Sequence, residues 1–454
     1  LVFYENLYNL PFFDVTMFIG MDDTDSNEGM CTTYLAALLA EDLKAFGVVC
    51  DYPFLMRLNP TIPYKTRGNA ALGISFSLFS DDFESRRTLI SFVTKKIEEY
   101  AEVSCDKTNP GAVFIFDEAH DFVRRPLGVL FKKAVTDVIE IKEAADLLKE
   151  FEEKHGDSVF HFSMKNGRGL IGALAVCGAM LNPGWDLTYE LLAYRTRLNI
   201  ENKIPRHVDL KSLIDADQTT TPDTWDTVDY SKNKPFAVCV PGSPDPVLFG
   251  IRGKNPKSVS TAAQHVVSEP IERFQIFQTN QGTDAHILPI SRISEMSSLH
   301  SYSLKGAVFS NPETSEGGHD IFQIKDIAGE LLECAAFEPT GIFRHTIRQL
   351  IPGDDIQVYG SFKNNTLNLE KIKVLKLAES VSYENPPCPL CQKRMESAGN
   401  NQGFRCKKCK TKASDKTKTT YLRNLSPGWY EVPPSARRHL SKPLIRYSKE
   451  ESDS

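Results

Sequence analysis

The apolar and polar positions divide the chain into stretches of different character. From Met17 to about Ile141, short apolar strands alternate with helical spacing. Strands are expected at Met17–Met21, Cys50–Leu58, Ala70–Leu78 and Ala112–Phe116. Helices are expected at Thr32–Phe46, where Leu35, Leu38, Leu39, Leu43 and Phe46 recur, and at Arg86–Tyr100. This is an α/β pattern. Next come a charged helix at Ala144–Lys154, an alternating strand at Val159–Met164 and an apolar helix over 170–181. Leu187–Arg197 reads as helical or extended, and Asp215–Tyr230 as a Thr/Asp-rich loop. Strands at Phe236–Val240, Val247–Gly250 and Ile271–Gln278 and a helix at Lys257–Val267 complete a second, smaller α+β unit. From Ser303 the pattern turns to β. Leu304–Ser310, Asp320–Lys325 and Glu330–Phe337 read as three strands. A Pro-opened helix at Pro339–Leu350 follows, then strands at Asp355–Phe362 and Thr366–Lys376. That is the element order of an OB-fold, although another small β-barrel of this length would also satisfy it.

No internal repeat is visible. The longest apolar run, Leu170 to Leu181, is twelve residues, and a membrane span needs about 20. Residues 1–16 carry Glu5, Pro11 and Asp14 and no basic stretch. A signal peptide is therefore not expected, and the segment is set aside. Among 454 residues, 41% are hydrophobic and 25% charged, as in globular proteins. The net charge of −6, from 53 Lys+Arg and 59 Asp+Glu, conceals a division. Residues 386–454 hold 15 Lys+Arg and 6 Asp+Glu, a net +9, which leaves the first 385 residues at −15. An acidic body with a basic end points to two kinds of partner.

Six of the ten cysteines are scattered: Cys31, Cys50, Cys105, Cys177, Cys239 and Cys334. The other four form Cys388-Pro-Leu-Cys391 and Cys406-Lys-Lys-Cys409, with fourteen residues between the pairs. Two C-x-x-C knuckles at this spacing close a tetrahedral, structural zinc site, a zinc ribbon. The arrangement suits a reducing compartment, so a cytoplasmic location is expected. Lys393, Arg394, Arg405, Lys407, Lys408, Lys410, Lys412, Lys416 and Lys418 surround the knuckles, with Phe404 and Tyr421 interleaved. Cations neutralise phosphates and aromatics stack on bases, so RNA or single-stranded DNA is the expected partner. The bland alternative is a solvated basic face.

Asp22-Asp23-Thr24-Asp25 follows the first strand. Clustered carboxylates repel one another unless a cation lies between them. Mg²⁺ takes one or two carboxylates together with substrate phosphates. Thr32 and Thr33 then open a helix, whose N-terminus favours an anion. A metal–nucleotide site and an acidic helix-capping turn both fit. Lys65-Thr66-Arg67-Gly68-Asn69 reads equally as a phosphate clamp or a solvated turn. Asn166-Gly167-Arg168-Gly169 places Arg168 before the apolar helix, as a candidate nucleotide or RNA contact. Thr279–His286 alone would read as a polar linker.

Together these segments carry a resemblance. Gly20-Met21 with D-D-T-D-S-N-E-G-M-C-T-T to Tyr34, K-T-R-G-N-A-A at 65–71, N-G-R-G-L-I-G-A-L-A at 166–175, F-G-I-R-G at 249–253, T-N-Q-G-T-D-A-H at 279–286 and the terminal zinc ribbon occur in order. From about Met17 to about Leu440 the chain resembles the TiaS family, the archaeal 2-agmatinylcytidine synthetases of isoleucine tRNA. The resemblance implies a multidomain α+β protein. Its parts are a kinase-like α/β domain over 17–143, a ferredoxin-like α+β domain over 144–270, an OB-fold β-barrel over 271–380, a C-terminal zinc ribbon over 381–430 and a basic tail over 431–454.

It also implies an ATP-dependent ligase. The enzyme joins agmatine to C2 of the wobble cytidine in the CAU anticodon of tRNA(Ile), after phosphorylation of the C2 oxygen, and so changes decoding from AUG to AUA. Asp22, Asp23 and Asp25 would hold Mg²⁺. Lys65 and Arg67 would contact phosphates, assisted by Thr66, Gly68 and Asn69. Thr32 or Thr33 would be the autophosphorylated threonine, with Thr32 preferred as nearer the helix N-terminus. Arg168 and the 279–286 segment would line the cleft between domains. Asp215, Asp217, Asp223 and Asp226 are loose candidates for agmatine. The implied cofactors are ATP, Mg²⁺ and Zn²⁺; no membrane and no obligate protein partner are implied. Two other readings are a non-catalytic single-strand-binding protein, which leaves the acidic loop without a role, and a small-molecule kinase, which leaves the basic end unexplained.

Overall fold

The computed structural model describes residues 15–448. Most of the segment set aside at 1–16, and the last six residues of the 431–454 tail, lie outside the described residues. The largest element is one sheet built by both α/β stretches. Its strands are β1 (Met17–Asp22), β2 (Gly47–Val49), β3 (Phe54–Arg57), β4 (Ala70–Leu78), β5 (Gly111–Phe116), β6 (Val159–Ser163), β7 (Thr188–Arg195), β8 (Thr224–Trp225), β9 (Val247–Gly253) and β10 (Ile271–Thr279). They lie in the order β6-β5-β1-β4-β3-β10-β7-β9-β8, with β2 beside β4. A short parallel pairing of β3 with β10, Phe54 opposite Gln278 and Leu55 opposite Thr279, joins the two halves. β10 therefore belongs to this sheet, not to the barrel expected to begin at 271.

Alternation along β1 sends Phe18 to one face and Met17, Ile19 and Met21 to the other. On the second face lie α1 (Thr32–Asp42) and α2 (Phe83–Tyr100), capped by the Asp82 carboxylate on the Ser85 amide. On the first lie α3 (Asp117–Thr136), α4 (Ile141–His155) and α5 (Gly169–Leu181). α3 was missed in the sequence. Pro126 inside it removes one helical hydrogen bond, yet Ala119, Val123, Leu127, Leu130 and Phe131 recur at helical spacing and are buried. The expected loop at 215–230 is also corrected. Its first part ends helix α6 (Leu210–Thr220), whose Leu213 and Ala216 are buried, while the Thr220 hydroxyl bonds back to the Ala216 carbonyl at 2.7 Å. Helix α7 (Pro256–His265) packs beside α6 and against β7 and β9. Leu187–Arg197 resolves as extended.

His300–Val308, Asp320–Lys325, Leu331–Ala336, Asp355–Lys363 and Thr366–Lys376 close into a five-stranded barrel. Leu304, Phe322, Ile324, Val358 and Ile372 fill it. The helix before the fourth strand is shorter than expected. Gly341, at φ +52°, separates a single 3₁₀ turn from Ile342–Ile347, whose Phe343 and Ile347 are buried. Beyond the barrel, Ser380–Glu384 and Thr417–Tyr421 pair as the stem of the four-cysteine ribbon. The chain then returns, and Gly428–Glu431 adds to barrel strand Thr366–Lys376. Among the described residues no helix is long and apolar enough to cross a membrane.

Candidate active site

Strand register brings one edge of the large sheet to a single place. Asp22 ends β1, Arg57 ends β3 opposite Ala70 at the start of β4, and Thr279 ends β10 opposite Thr188 of β7. Arg252 of β9 lies opposite Glu190 of β7. A cavity of about 340 Å³ opens along this edge. Asp22, Asp23, Asp25, Thr32, Thr33, Lys65, Thr66, Arg67, Gly68, Asn69 and Arg168, expected from four separate segments, all line it.

The acidic loop is bent to face this space. Asp23 has φ +60°, a left-handed conformation that costs a non-glycine residue energy. Its carboxylate accepts from the Asn109 amide at 3.0 Å. Burial, with the charges of Asp23 and Asp25, pushes the Asp22 carboxyl well above its ordinary range. Burial raises Asp23 to about 7, against the two hydrogen bonds of Asn109, with Asp25 adding to the rise and Arg168 opposing it. Asp25 is turned elsewhere. It accepts from Thr66 Oγ1 at 2.9 Å and from Arg67 Nε and Nη2 at 3.0 and 2.8 Å. The three carboxylates do not converge on one point as a ready metal cage.

The threonines sit at the first turn of α1. Thr32 Oγ1 accepts from the buried Thr24 hydroxyl at 3.1 Å, and Thr33 Oγ1 lies 2.9 Å from Cys31 Sγ. The lysine–arginine segment is partly occupied. Besides Asp25, Arg67 reaches Asp245 at 2.9 Å and the Met30 carbonyl, and Lys65 donates to the Pro60 carbonyl. Arg168 stacks over Tyr64, 4.2 Å from the ring centre, at the cavity wall.

Sequence reasoning missed Arg57, Glu190, Asp245 and His439 as lining residues and placed Arg252 only within a motif. Each is a single residue on a strand or connection, with no local spacing to mark it. Buried Glu190 accepts from Arg252 at 3.1 Å and from Gln281 at 2.6 Å. Of the four aspartates offered for agmatine, only Asp226 lines the cavity, where it pairs with Arg252 and Arg437. Asp215 pairs with His265, Asp217 accepts from Tyr230, and Asp223 lies 4.0 Å from Lys254. The 279–286 segment is not a linker. Asn280 bonds both backbone groups of Arg57, and His286 is buried against Glu370 of the barrel.

The four knuckle cysteines form a second constellation. Their sulfurs all lie within 4.8 Å of one another. The two knuckles repeat one backbone pattern: Gln392 and Lys410 have φ near +60°, and their amides return to the Cys388 and Cys406 carbonyls. This donor set fits tetrahedral Zn²⁺. Phe404 is buried in the ribbon's core and is not free to stack on a base, whereas Tyr421 is exposed.

Family models described as the TiaS TCKD domain, the TiaS FLD domain and the TiaS C-terminal zinc ribbon domain match residues 18–163, 167–286 and 385–425. The chain belongs to the TiaS family. The isoleucine-tRNA 2-agmatinylcytidine synthetase TiaS of Methanosarcina acetivorans is 53% identical over 95% of this chain and 97% of its own. That of Archaeoglobus fulgidus is 46% identical over 96% and 98%. Among solved TiaS structures, a complex with its isoleucine tRNA and ATP superposes with a TM-score of 0.86 at 44% identity, covering 96% of this chain and 99% of that one. A complex with the same tRNA, AMPCPP and agmatine does so with a TM-score of 0.83 at 42% identity and the same coverage.

Proposed function

We infer that this protein is an ATP-dependent ligase that joins agmatine to C2 of the wobble cytidine in the CAU anticodon of tRNA(Ile). The observation that carries this reading is the assembly of the acidic loop, the threonines, the lysine–arginine segment and Arg168 around one cavity in a TiaS-family chain. We read residues 17–143 as kinase-like, with β6 and α5 contributed from beyond that span, and the second unit as ferredoxin-like. The barrel is read as an OB-fold over the remainder of the expected 271–380 span, beginning after β10. The ribbon and basic end, 381–430 and 431–454, complete the division, and the cytoplasm is the proposed location.

A carbonyl oxygen at C2 is a poor leaving group, and phosphorylation makes it a good one. The agmatine amine then forms the C–N bond at C2 and phosphate departs. Phosphoryl transfer needs positioning and charge neutralisation more than covalent help. Asp22 and Asp23 suit Mg²⁺, because burial raises both carboxyls and a cation beside them would relieve that cost. Bound there with substrate phosphates, Mg²⁺ supplies charge neutralisation. Asp25, held by Arg67 and Thr66, must release them to join that ligand set; otherwise it orients Arg67. Arg67 and Lys65 are the proposed phosphate contacts, with Thr66, Gly68 and Asn69 shaping the loop between them. Arg168 faces the same space. Thr32 and Thr33 both line the cavity as candidate phosphoryl acceptors. The barrel and ribbon are assigned to gripping tRNA. A non-catalytic single-strand binder would have no use for this cavity.

The test is direct. With ATP, Mg²⁺, labelled agmatine and a CAU-anticodon isoleucine tRNA transcript, label enters tRNA. Asp23→Ala lowers incorporation on the order of 10³-fold while tRNA affinity is retained. Absence of label with folded wild-type protein refutes the ligase reading. Full activity in Asp23→Ala refutes the site assignment.

A further inference from the structure

The acidic loop is held from behind by residues 101–110, the connection between α2 and β5. The turns of this connection are closed by backbone bonds, from the Cys105 amide to the Glu102 carbonyl and from the Thr108 amide to the Cys105 carbonyl. Its groups reach the loop one after another. The Glu102 amide donates to the Thr24 carbonyl at 3.0 Å. The Thr108 hydroxyl donates to the Asp25 carbonyl at 2.6 Å. The Asn109 amide donates to the Asp23 carboxylate at 3.0 Å, and Asn109 Nδ2 lies 3.5 Å from the same oxygen. The end of the connection is tied down in turn. The Gly169 amide donates to the Asn109 carbonyl at 3.0 Å, and the Met164 amide to the Pro110 carbonyl at 2.9 Å.

Chemistry fixes the direction of the side-chain bonds. A carbonyl oxygen only accepts, so the Thr108 hydroxyl proton points at Asp25. For the same reason the Asn109 side chain turns its nitrogen to the Lys107 carbonyl, at 2.9 Å. Thr108 and Asn109 are both buried, and neither lines the cavity. They touch the loop and not what the loop faces. The loop needs such support. Asp23 is held at φ +60°, and a non-glycine residue stays in that region only where its surroundings enforce it. Asp22 and Asp23 also bring like charges together at the cavity, and a free loop would relax by turning one of them away.

We propose that Thr108 and Asn109 are positioning residues that fix the loop with Asp22 and Asp23 facing the cavity together, and so set how strongly Mg²⁺ supports ATP binding. Partners behind metal ligands govern metal affinity in this way, because a ligand that must first be oriented binds more weakly. The proposal rests on the reading that Asp22 and Asp23 hold Mg²⁺ with substrate phosphates.

The test compares ATP binding to the full chain in saturating Mg²⁺ and in EDTA. The quantity read is the factor by which Mg²⁺ tightens ATP binding. Affinity for the CAU-anticodon tRNA without nucleotide and thermal unfolding are measured beside it. Thr108→Val keeps the shape and loses the hydroxyl, whereas Thr108→Ser keeps the hydroxyl. Asn109→Ala removes Nδ2 and leaves every backbone bond possible. Thr108→Val and Asn109→Ala are expected to shrink the Mg²⁺ factor about 10-fold or more, with ATP affinity in EDTA and tRNA affinity retained. Thr108→Ser is expected to stay close to wild type. Where Thr108→Val does not fold, Asn109→Ala carries the test. An undiminished Mg²⁺ factor in Asn109→Ala overturns the proposal. So does a loss in Thr108→Ser equal to that in Thr108→Val. Parallel loss of ATP affinity in both media and of tRNA affinity also overturns it, and leaves the connection a general support of the fold. Wild-type protein that binds ATP equally in Mg²⁺ and EDTA overturns the Mg²⁺ reading itself, and this proposal with it.

Discussion

The carboxylates of this protein show how one residue type serves different ends according to its neighbours. Asp22 and Asp23 are half-buried beside one another and their carboxyls are raised. Glu370 is buried more deeply and goes the other way. Burial alone would raise it, but His286 at 3.1 Å, with Arg438 and Lys371, holds it at about 2. A carboxyl depressed on folding contributes stability that is fully present above its unfolded pKa and lost as pH falls through the folded one. Glu370 therefore stabilises the junction of barrel, 279–286 segment and the chain beyond the ribbon above about pH 4.5 and ceases to do so as pH approaches about 2. Acid titration of thermal stability is expected to fall through that window. Glu370→Gln is expected to be less stable at neutral pH and flatter between those limits. An unchanged slope in the variant would show that other groups dominate acid unfolding.

At the scale of elements, α5 determines where the acidic loop sits. The helix is apolar around its whole circumference and buried, so its position depends on how closely it approaches the sheet. Glycines on both sides permit the approach. A Cβ at Gly20 of β1 would lie 2.2 Å from the Ala173 carbonyl oxygen, and one at Gly172 would lie 1.9 Å from Asp22 Oδ2. No side chain fits at either contact. Gly172→Ala must therefore displace Asp22 or lift the start of α5. Overpacking of this kind costs about 1–3 kcal/mol. The expected result is a modest fall in melting temperature with a much larger loss of ligation. Full activity in this variant would show that the Asp22 position is not critical.

The whole molecule separates its charges. Much of the basic end is turned inward: Arg437, Arg438 and Arg446 pair with Asp226, Glu370 and Asp186 of the acidic body. The lysines beside the knuckles stand apart from the cavity, none of whose lining residues comes from the ribbon. Losing the ribbon should therefore uncouple RNA binding from nucleotide binding. Cys406→Ser, or zinc removal by a chelator, is expected to weaken tRNA binding about 10-fold or more through loss of phosphate contacts, with ATP affinity unchanged. Equal loss of both affinities would place the ribbon in the cavity's support instead.

Contiguous chemistry was legible in the chain. The D-D-T-D loop, the K-T-R-G-N segment and the paired C-x-x-C knuckles each carry their residue types within a few positions, and barrel strands such as Asp320–Lys325 and Thr366–Lys376 follow from alternation alone. α3 was hidden by Pro126, although its buried face keeps helical spacing, and α6 by hydroxyls that satisfy themselves on the helix backbone. Boundaries between units were also misjudged, because β10 carries the alternation of any strand and only its partners, β3 and β7, show which sheet it completes. Arg57, Glu190, Asp245, Arg252 and His439 reach the site one at a time from distant points in the chain. Local residue order determines what a loop or knuckle can bind, because its donors are covalently neighbouring. Which lone side chains share a cavity is decided by strand register and by the return of the chain beyond the ribbon, because only packing brings them within reach.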